Sequence, residues 1–374
     1  MHYRRFGRTE LHLSVFSLGT MRYLASEENA VQTIQRAVAL GINHLETARA
    51  YGNSEKYLAT ALKSPTVNRS ELHITSKVLP CSSPDAIEQA IDQSLERLGL
   101  GYLDTLALHG INTETHLEQA LAGMGGLQRA LDDGRVRHLG FSTHGPLEVI
   151  LAAIQTDYFE FINLHYYYFF QRNAPAVDLA HQRDMGIFII SPADKGGQLH
   201  TPPNRLANLC QPFSPLQLNY RFLLSDPRIT TLSLGAANPQ ELEVPLQVAN
   251  QDGELTGAEQ AILQSLEAAQ SEALGSTQCR QCYQCLPCPE AIHIPEVLRL
   301  RNLAIGHNMT EFGQYRYRMF ESAGHWFPGR KANRCTECGD CLPRCPEQLD
   351  IPALLQETHE MLKGRSSRRL WESE

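Results

Sequence analysis

Short apolar runs alternate, over roughly the first 270 residues, with longer segments whose apolar positions recur every three or four residues. The short runs predict buried β-strands, and the longer segments predict amphipathic helices. The first pair is "LHLSVFSLGT" followed by "SEENAVQTIQRAVALG", in which a serine precedes the helical segment and a glycine closes it. The alternation continues through "LHITSKV" with "SPDAIEQAIDQSLERLG" as far as "ITTLSLGA" with "NPQELEVPLQVA".

About eight such β/α units occupy this part of the chain, which is the size expected of a (β/α)8 TIM barrel. A doubly wound open sheet is the competing α/β architecture. That fold normally carries a glycine-rich turn after its first strand, and "SLGTMRYL" has none. We therefore expect a TIM barrel.

Polar side chains stand where three successive predicted strands end. Glu46 closes the second strand and Tyr51 follows it in "ETARAYG", Lys77 closes the third strand, and His109 closes the fourth. In a TIM barrel these strand ends meet at the face that carries the chemistry.

These residue types suit carbonyl reduction. A tyrosine hydroxyl can give its proton to a carbonyl oxygen while hydride arrives at the carbon, but its ordinary pKa of about 10 calls for help. A neighbouring ammonium stabilises the phenolate, a carboxylate holds that ammonium, and a histidine orients the oxygen.

The motifs "GINHLETARAYGNSE", "ITSKV", "LDTLALHG", "GRVRHLGFST" and "ISPADKGGQL" give the chain a resemblance to the aldo-keto reductases, from "YRRFGRTELHLSVFSLGT" to about "GAANPQELE". The resemblance implies a barrel that binds NADPH and carries a catalytic tetrad. Tyr51 would be the general acid, Lys77 its pKa partner and His109 the substrate-orienting residue. Glu46 would take the place of the family's aspartate and is one methylene longer.

The resemblance also implies positions for the cofactor. Ser142 matches the serine beside the nicotinamide carboxamide, Thr143 stands where an asparagine is usual, and Asn163 where a glutamine is usual. The remaining assigned positions are Ser191, Gly235, Ala236, Asn238 and Gln240. Because "GAANPQELE" contains no Arg or Lys to meet a 2′-phosphate, the cofactor could be NADP(H) or NAD(H).

Eight of the ten cysteines lie in "CRQCYQCLPCPE" (279–290) and "CTECGDCLPRCPE" (335–347). The second motif has the spacing of two-cluster bacterial ferredoxins, in which the fourth cysteine binds the other cluster. We expect two [4Fe–4S] clusters, the first held by Cys279, Cys282, Cys285 and Cys345 and the second by Cys335, Cys338, Cys341 and Cys288. Zinc is the alternative, although zinc sites usually use separated C-x2-C pairs.

The segments between the two motifs read as helical, so this region is expected to form a small, mainly helical ferredoxin-like domain. The predicted domains are the barrel at 1–272, the iron–sulfur domain at 273–356 and a C-terminal tail at 357–374. The net charge of −8 gives no basic surface for nucleic acid, and no run of residues is apolar enough to cross a membrane. With no signal peptide apparent, we expect a cytoplasmic protein.

Three hypotheses follow. The first is an oxidoreductase that uses NAD(P)H on a small carbonyl or alcohol substrate and whose clusters exchange electrons with a carrier such as a ferredoxin or serve structure. The second is an iron–sulfur electron-transfer or adaptor protein whose barrel binds nucleotide or a partner without turnover. The third is a reductase with a zinc-stapled interaction module.

Overall fold

The computed structural model describes residues 1–23, 26–251 and 253–364. These form two compact units. One comprises Met1–His200 with Leu216–Thr256, and the other comprises Thr201–Pro215 with the chain from Gly257 onward. The predicted boundary at residue 272 falls inside a helix of the second unit, and the last ten residues of the predicted tail lie outside the described residues. The domain boundaries remain predictions.

The first unit is a closed barrel of eight parallel strands, as the sequence predicted. In chain order the barrel strands are β3 (Phe16–Gly19), β4 (His44–Glu46), β5 (His73–Val78), β6 (Leu103–His109), β7 (Val136–Ser142), β8 (Phe161–Leu164), β9 (Gly186–Ile189) and β10 (Thr231–Leu234). Each pairs with its neighbour in sequence, and β10 closes the barrel between β9 and β3. All carboxyl ends therefore meet at one face.

The first predicted strand is divided in two by the fold. Its first half, β2 (His12–Ser14), pairs antiparallel with β1 (Tyr3–Arg5) in a separate hairpin, and only β3 joins the barrel. Phe6 in the hairpin loop is fully buried and packs beside Phe161. The hairpin thus covers the end of the barrel at which β8 begins.

The helices of the first unit are largely those predicted, and side-chain caps mark where several begin. Ser26, Ser83 and Thr113 each accept a hydrogen bond from the backbone of the first helical turn. The helices are α1 (Glu27–Ala39), α2 (Ser54–Leu62), α3 (Pro84–Leu98), α4 (Glu114–Ala122), α5 (Met124–Asp132), α6 (Leu147–Gln155), α7 (Ala174–Gln182), α9 (Pro215–Leu224) and α10 (Glu243–Leu246).

The helical segment after β6 is broken into α4 and α5 at Gly123. A Cβ at this position would lie 2.2 Å from the carbonyl oxygen of Cys81 and 2.3 Å from Cδ1 of Ile87. The backbone passes so close to its neighbours that only glycine fits there.

The second unit is mainly helical, again as predicted. Its helices are α8 (Asn204–Leu209), α11 (Gly257–Leu274), α12 (Ile294–His307), α13 (Thr310–Tyr317) and α14 (Ile351–Leu362). Helix α12 is buried on nearly every side and carries the ion pair Glu296–Arg299, with 2.6 Å between carboxylate and guanidinium. A Cβ on Gly306 would lie 2.7 Å from Cγ of Gln270, so glycine allows α12 to pack closely on α11.

None of the helices in the described part of the chain has the length and apolar character that crossing a bilayer requires.

Candidate functional site

The four predicted catalytic residues converge at the carboxyl ends of neighbouring barrel strands. Glu46 is the last residue of β4, Lys77 lies next to the end of β5, and His109 ends β6, while Tyr51 lies in the turn that follows β4. Glu46 and Lys77 are buried, whereas Tyr51 and His109 are partly exposed. The charged pair therefore lies beneath the two groups that a substrate could reach.

Lys77 holds this arrangement together. Its ammonium donates to the carbonyl oxygen of Thr47 at 2.9 Å and to the hydroxyl oxygen of Tyr51 at 3.3 Å, and it forms an ion pair with Glu46. These three acceptors match the three protons of a lysine ammonium. Burial by itself would lower the pKa of Lys77, but Glu46 and Tyr51 outweigh burial and raise this pKa above its ordinary value. Lys77 is therefore a fixed cation at neutral pH.

Tyr51 accepts a hydrogen bond from Lys77, which leaves the phenolic proton to be donated elsewhere. Burial raises the pKa of Tyr51, while the Lys77 ammonium acts in the opposite direction. The hydroxyl is thus protonated at neutral pH and lies beside a positive charge that would stabilise the phenolate.

His109 faces the Tyr51 ring edge-on, with the ring centroids 5.5 Å apart and the planes at 84°. Burial and the charge of Lys77 lower the pKa of His109 to about 3. The imidazole is consequently neutral at physiological pH, so it can offer a hydrogen bond to an oxygen but is not the acid of the pair.

The extra methylene of Glu46 does not prevent the ion pair with Lys77. The same carboxylate accepts a hydrogen bond of 3.2 Å from the side-chain amide of Asn163, on β8 across the barrel mouth. Asn163 is fully buried, and within the described chain its Oδ1 has no hydrogen-bond partner. This residue was predicted only as a cofactor contact, and the structure also ties it to the carboxylate of Glu46.

Two other predicted cofactor residues hold the loops of the barrel mouth. Ser142 Oγ accepts from the backbone N–H of Gly110 at 3.0 Å. Thr143 Oγ1 donates to the carbonyl of Ile111 at 2.7 Å and accepts from the N–H of Gly145 at 3.0 Å. The Thr143 side chain thus links the loop after β6 to the loop after β7. Ser191, after β9, has a left-handed backbone conformation with φ of 53°.

The loop after β10 carries the remaining predicted cofactor residues. Ala236 is buried, Gly235 and Gln240 are exposed, and the Asn238 side chain accepts from the N–H of Glu241 at 3.2 Å. Arg22, which sequence reasoning missed, reaches this loop and donates to the carbonyl oxygen of Gly235 and to the Glu241 carboxylate, each at 2.7 Å. Arg22 follows β3, the neighbour of β10, and nothing in the loop's own sequence indicates this cation.

In the second unit the eight clustered cysteines line two cavities. Cys279, Cys282, Cys285 and Cys345 line one of them. Cys288, Cys335, Cys338 and Cys341 line the other. Each cavity takes three cysteines from one motif and the last cysteine of the other. We call them the first and the second cysteine cavity.

The two cysteine loops repeat one backbone conformation, a feature that sequence reasoning missed. Positive φ values recur at matching positions in the pairs Gln281 and Glu337 (59° and 55°), Tyr283 and Gly339 (62° and 82°), and Ala291 and Gln348 (55° and 54°). Each loop then leads into a helix that starts with Ile-Pro and is capped by a side chain, from His293 for α12 and from Asp350 for α14. The recurring "CPE" followed by Ile-Pro was the available signal.

Comparisons with known proteins agree with both units. Residues 16–268 match the Aldo/keto reductase family, and residues 278–349 match the 4Fe-4S dicluster domain. The chain therefore belongs to the aldo/keto reductase family and carries a 4Fe–4S dicluster domain at its C-terminal end. It is an oxidoreductase that depends on NAD(P)H. The dicluster match supports the iron–sulfur interpretation over zinc.

Similar proteins cover mostly the barrel. The chain is 24% identical over 287 residues to the uncharacterized oxidoreductase YqkF of Bacillus subtilis, covering 67% of this chain and 92% of that protein. It is 31% identical over 166 residues to L-galactose dehydrogenase of Arabidopsis thaliana, covering 40% of this chain and 51% of that enzyme.

Among solved structures, the holo form of aldo-keto reductase AKR11C1 from Bacillus halodurans matches with a TM-score of 0.63 at 22% identity, covering 71% of this chain and 95% of that one. An aldo-keto reductase from Klebsiella pneumoniae in complex with NADPH matches with a TM-score of 0.59 at 20% identity, covering 71% of this chain and 94% of that one. At these identities the likeness shows the shared fold.

Proposed function

We propose that the barrel reduces the carbonyl group of a small molecule, or oxidises the corresponding alcohol in the reverse direction. The observation that carries this proposal is the set of bonds made by Lys77, whose ammonium meets Glu46, Thr47 and Tyr51 at once. When bound, the nicotinamide cofactor supplies or accepts the hydride.

The residues divide the remaining work. Tyr51 gives its phenolic proton to the carbonyl oxygen, and Lys77 stabilises the phenolate that remains. Glu46 keeps Lys77 charged and in place. The neutral imidazole of His109 orients the carbonyl oxygen by a hydrogen bond. In alcohol oxidation the phenolate of Tyr51 takes the hydroxyl proton back.

For the cofactor, we propose that Asn163 Oδ1 accepts a hydrogen bond from the nicotinamide carboxamide, beside Ser142. Asn163 already directs its amide N–H toward Glu46, so its oxygen is the group left to serve as an acceptor. Arg22 offers the cation that the loop at 235–241 lacks, which favours NADPH, although Glu241 competes for the same guanidinium.

For the cysteine module, we propose two [4Fe–4S] clusters with the crossed ligands that line the two cavities. The fit is supported by the four thiols in each cavity and by the repeated loop conformation. Thiolate sulfur is the usual ligand of such clusters. When bound, the clusters supply one-electron transfer, which suits exchange with a carrier such as a ferredoxin. Ligand thiols of this kind call for a reducing compartment, so we propose the cytoplasm.

The proposed reaction is tested with Tyr51→Phe in the full-length protein, assayed by NADPH and NADH oxidation against a panel of aldehydes and ketones. We expect the rate to fall by about 10²–10⁴-fold, because the proton donor is lost. Binding of the reduced cofactor, measured by fluorescence titration, should be nearly unchanged.

Tyr102→Phe is the matched control. Tyr102 lies at the opposite end of the barrel, with the Arg137 guanidinium 3.7 Å from the centroid of its ring, and phenylalanine keeps that ring. Full turnover by the Tyr51→Phe protein would instead support the adaptor hypothesis.

A further inference from the structure

The two cysteine loops carry different side chains at one matching position. Gln281 and Glu337 each lie two residues after the first cysteine of their motif and share the left-handed backbone conformation. In the second loop the backbone N–H of Glu337 donates to Cys335 Sγ at 3.4 Å. The backbones are thus alike, and the difference between the loops is carried by the side chain.

Gln281 adds a second hydrogen bond to its cysteine. Its Nε2 lies 3.3 Å from Cys279 Sγ and 3.0 Å from the carbonyl oxygen of Pro295. A carbonyl oxygen can only accept a hydrogen bond, so the contact with Pro295 fixes which end of the amide is the donor. The first cysteine cavity therefore has a side-chain donor aimed at one of its sulfurs.

The matching position of the second loop offers no such donor. Glu337 is exposed there, and a carboxylate accepts hydrogen bonds but does not donate them. The charged residues around the two cavities do not add to this difference. Arg280 and Glu347 line the first cavity. Glu290, Asp340 and Arg344 line the second, and Arg330 lies 3.9 Å from Glu290.

Reduction adds negative charge to an iron–sulfur cluster. Hydrogen bonds to its sulfur ligands stabilise that charge, and a nearby carboxylate opposes it. We infer that the hydrogen bond from Gln281 makes the cluster of the first cavity the more easily reduced of the two, because Glu337 supplies no such donor to the cluster of the second cavity. This inference rests on the proposed two-cluster assignment. A single electron that enters the oxidised protein then resides on the cluster held by Cys279, Cys282, Cys285 and Cys345.

The test is a redox titration of the anaerobically purified full-length protein with mediator dyes, followed by electron paramagnetic resonance. The wild-type protein should show two one-electron steps. Gln281→Glu should lower only the higher potential, and Glu337→Gln should raise only the lower one. We expect each change to alter the electron affinity about tenfold, which is about 59 mV for a one-electron couple.

Two further variants separate the hydrogen bond from a general effect of charge. Gln281→Leu removes the donor without adding charge and should still lower the higher potential. Gln284→Glu adds the same charge at an exposed position of the same loop, where the wild-type side chain makes no hydrogen bond to a cysteine in the described structure, and should shift it by less than half as much.

Iron and sulfide content is measured first, so that the two proposals fail in distinguishable ways. Protein without two clusters overturns the cluster assignment and this inference together. If two clusters are present, two results overturn the inference alone. Either the higher potential does not respond to Gln281→Glu and Gln281→Leu, or Gln284→Glu shifts it as much as Gln281→Glu does. The same holds if Gln281→Glu moves the lower potential.

Discussion

Replacing Glu46 by glutamine would show whether this carboxylate holds the charge on Lys77. Lys77 is 2% exposed and Glu46 is 4% exposed, so bulk water contributes little to stabilising either charge. Glutamine keeps the length of the side chain and can still accept a hydrogen bond. It leaves the ammonium without a counter-charge, so we expect the folded variant to release the Lys77 proton or to lose stability.

The size of the loss has an upper limit at each pH. Releasing the proton of a lysine whose ordinary pKa is about 10.4 costs about 1.36 kcal/mol per pH unit below that value, hence about 4.6 kcal/mol at pH 7 and about 1.9 kcal/mol at pH 9. Removing one partner of a buried ion pair typically costs about 3–5 kcal/mol. We therefore expect a loss of about 3–4.6 kcal/mol at pH 7 and at most about 2 kcal/mol at pH 9.

The sign follows from the protons bound in each state. If Lys77 is neutral in the folded variant and charged in the unfolded chain, the unfolded state binds one more proton, and the variant gains stability as the pH rises. In the wild-type protein the pKa of Lys77 is raised above its ordinary value, so both states are protonated at pH 7 and pH 9 and this group contributes no such slope.

The assay is urea unfolding of the wild-type protein and the variant at pH 7 and pH 9, followed by circular dichroism. Glu46→Asp should retain most of the stability, because it keeps the charge. Glu10→Gln removes one carboxylate from the exposed pairs of Arg5, and we expect little change at either pH. An equal loss for Glu46→Gln at both pH values, or no loss, would refute the reasoning.

Three other predictions concern the cofactors. Cys288→Ser should lower the iron and sulfide content and abolish the paramagnetic signal of the second cluster; loss of the first cluster instead would show that the ligands are not crossed. Arg22→Leu should weaken binding of NADPH about tenfold and NADH much less, measured by fluorescence titration, because one charge-assisted hydrogen bond to the 2′-phosphate is lost. Excess NADPH without added flavin should not bleach the cluster absorbance within one catalytic turnover in anaerobic stopped-flow mixing, because a hydride carries two electrons and each cluster accepts one.

Much of the fold follows from local patterns in the sequence. Apolar runs buried on both faces, separated by capped amphipathic helices, indicated the eight barrel strands and most of their helices. The same patterns placed Glu46, Lys77 and His109 at strand ends, because the end of an apolar run is visible in the sequence. Cysteine spacing indicated the iron–sulfur module, because the ligands of such clusters recur at short, characteristic intervals in the sequence.

Other features depend on neighbours that are distant in the chain. The break at Gly123 depends on the approach of Cys81 and Ile87, and the division of the first strand depends on pairing with Tyr3–Arg5. Neither contact changes the periodicity of the segment itself, so no local pattern could reveal it.

The candidate site of the barrel also combines features visible in the sequence with features set by distant contacts. The sequence by itself determined which residue types stand at the barrel mouth. Only the tertiary structure decided that Lys77 binds three acceptors at once, that Asn163 reaches Glu46 and that Arg22 lies beside Gly235. The physical reason is that closing the barrel brings β10 beside β3 and β8 across from β4, and the direction of each side chain depends on that closure.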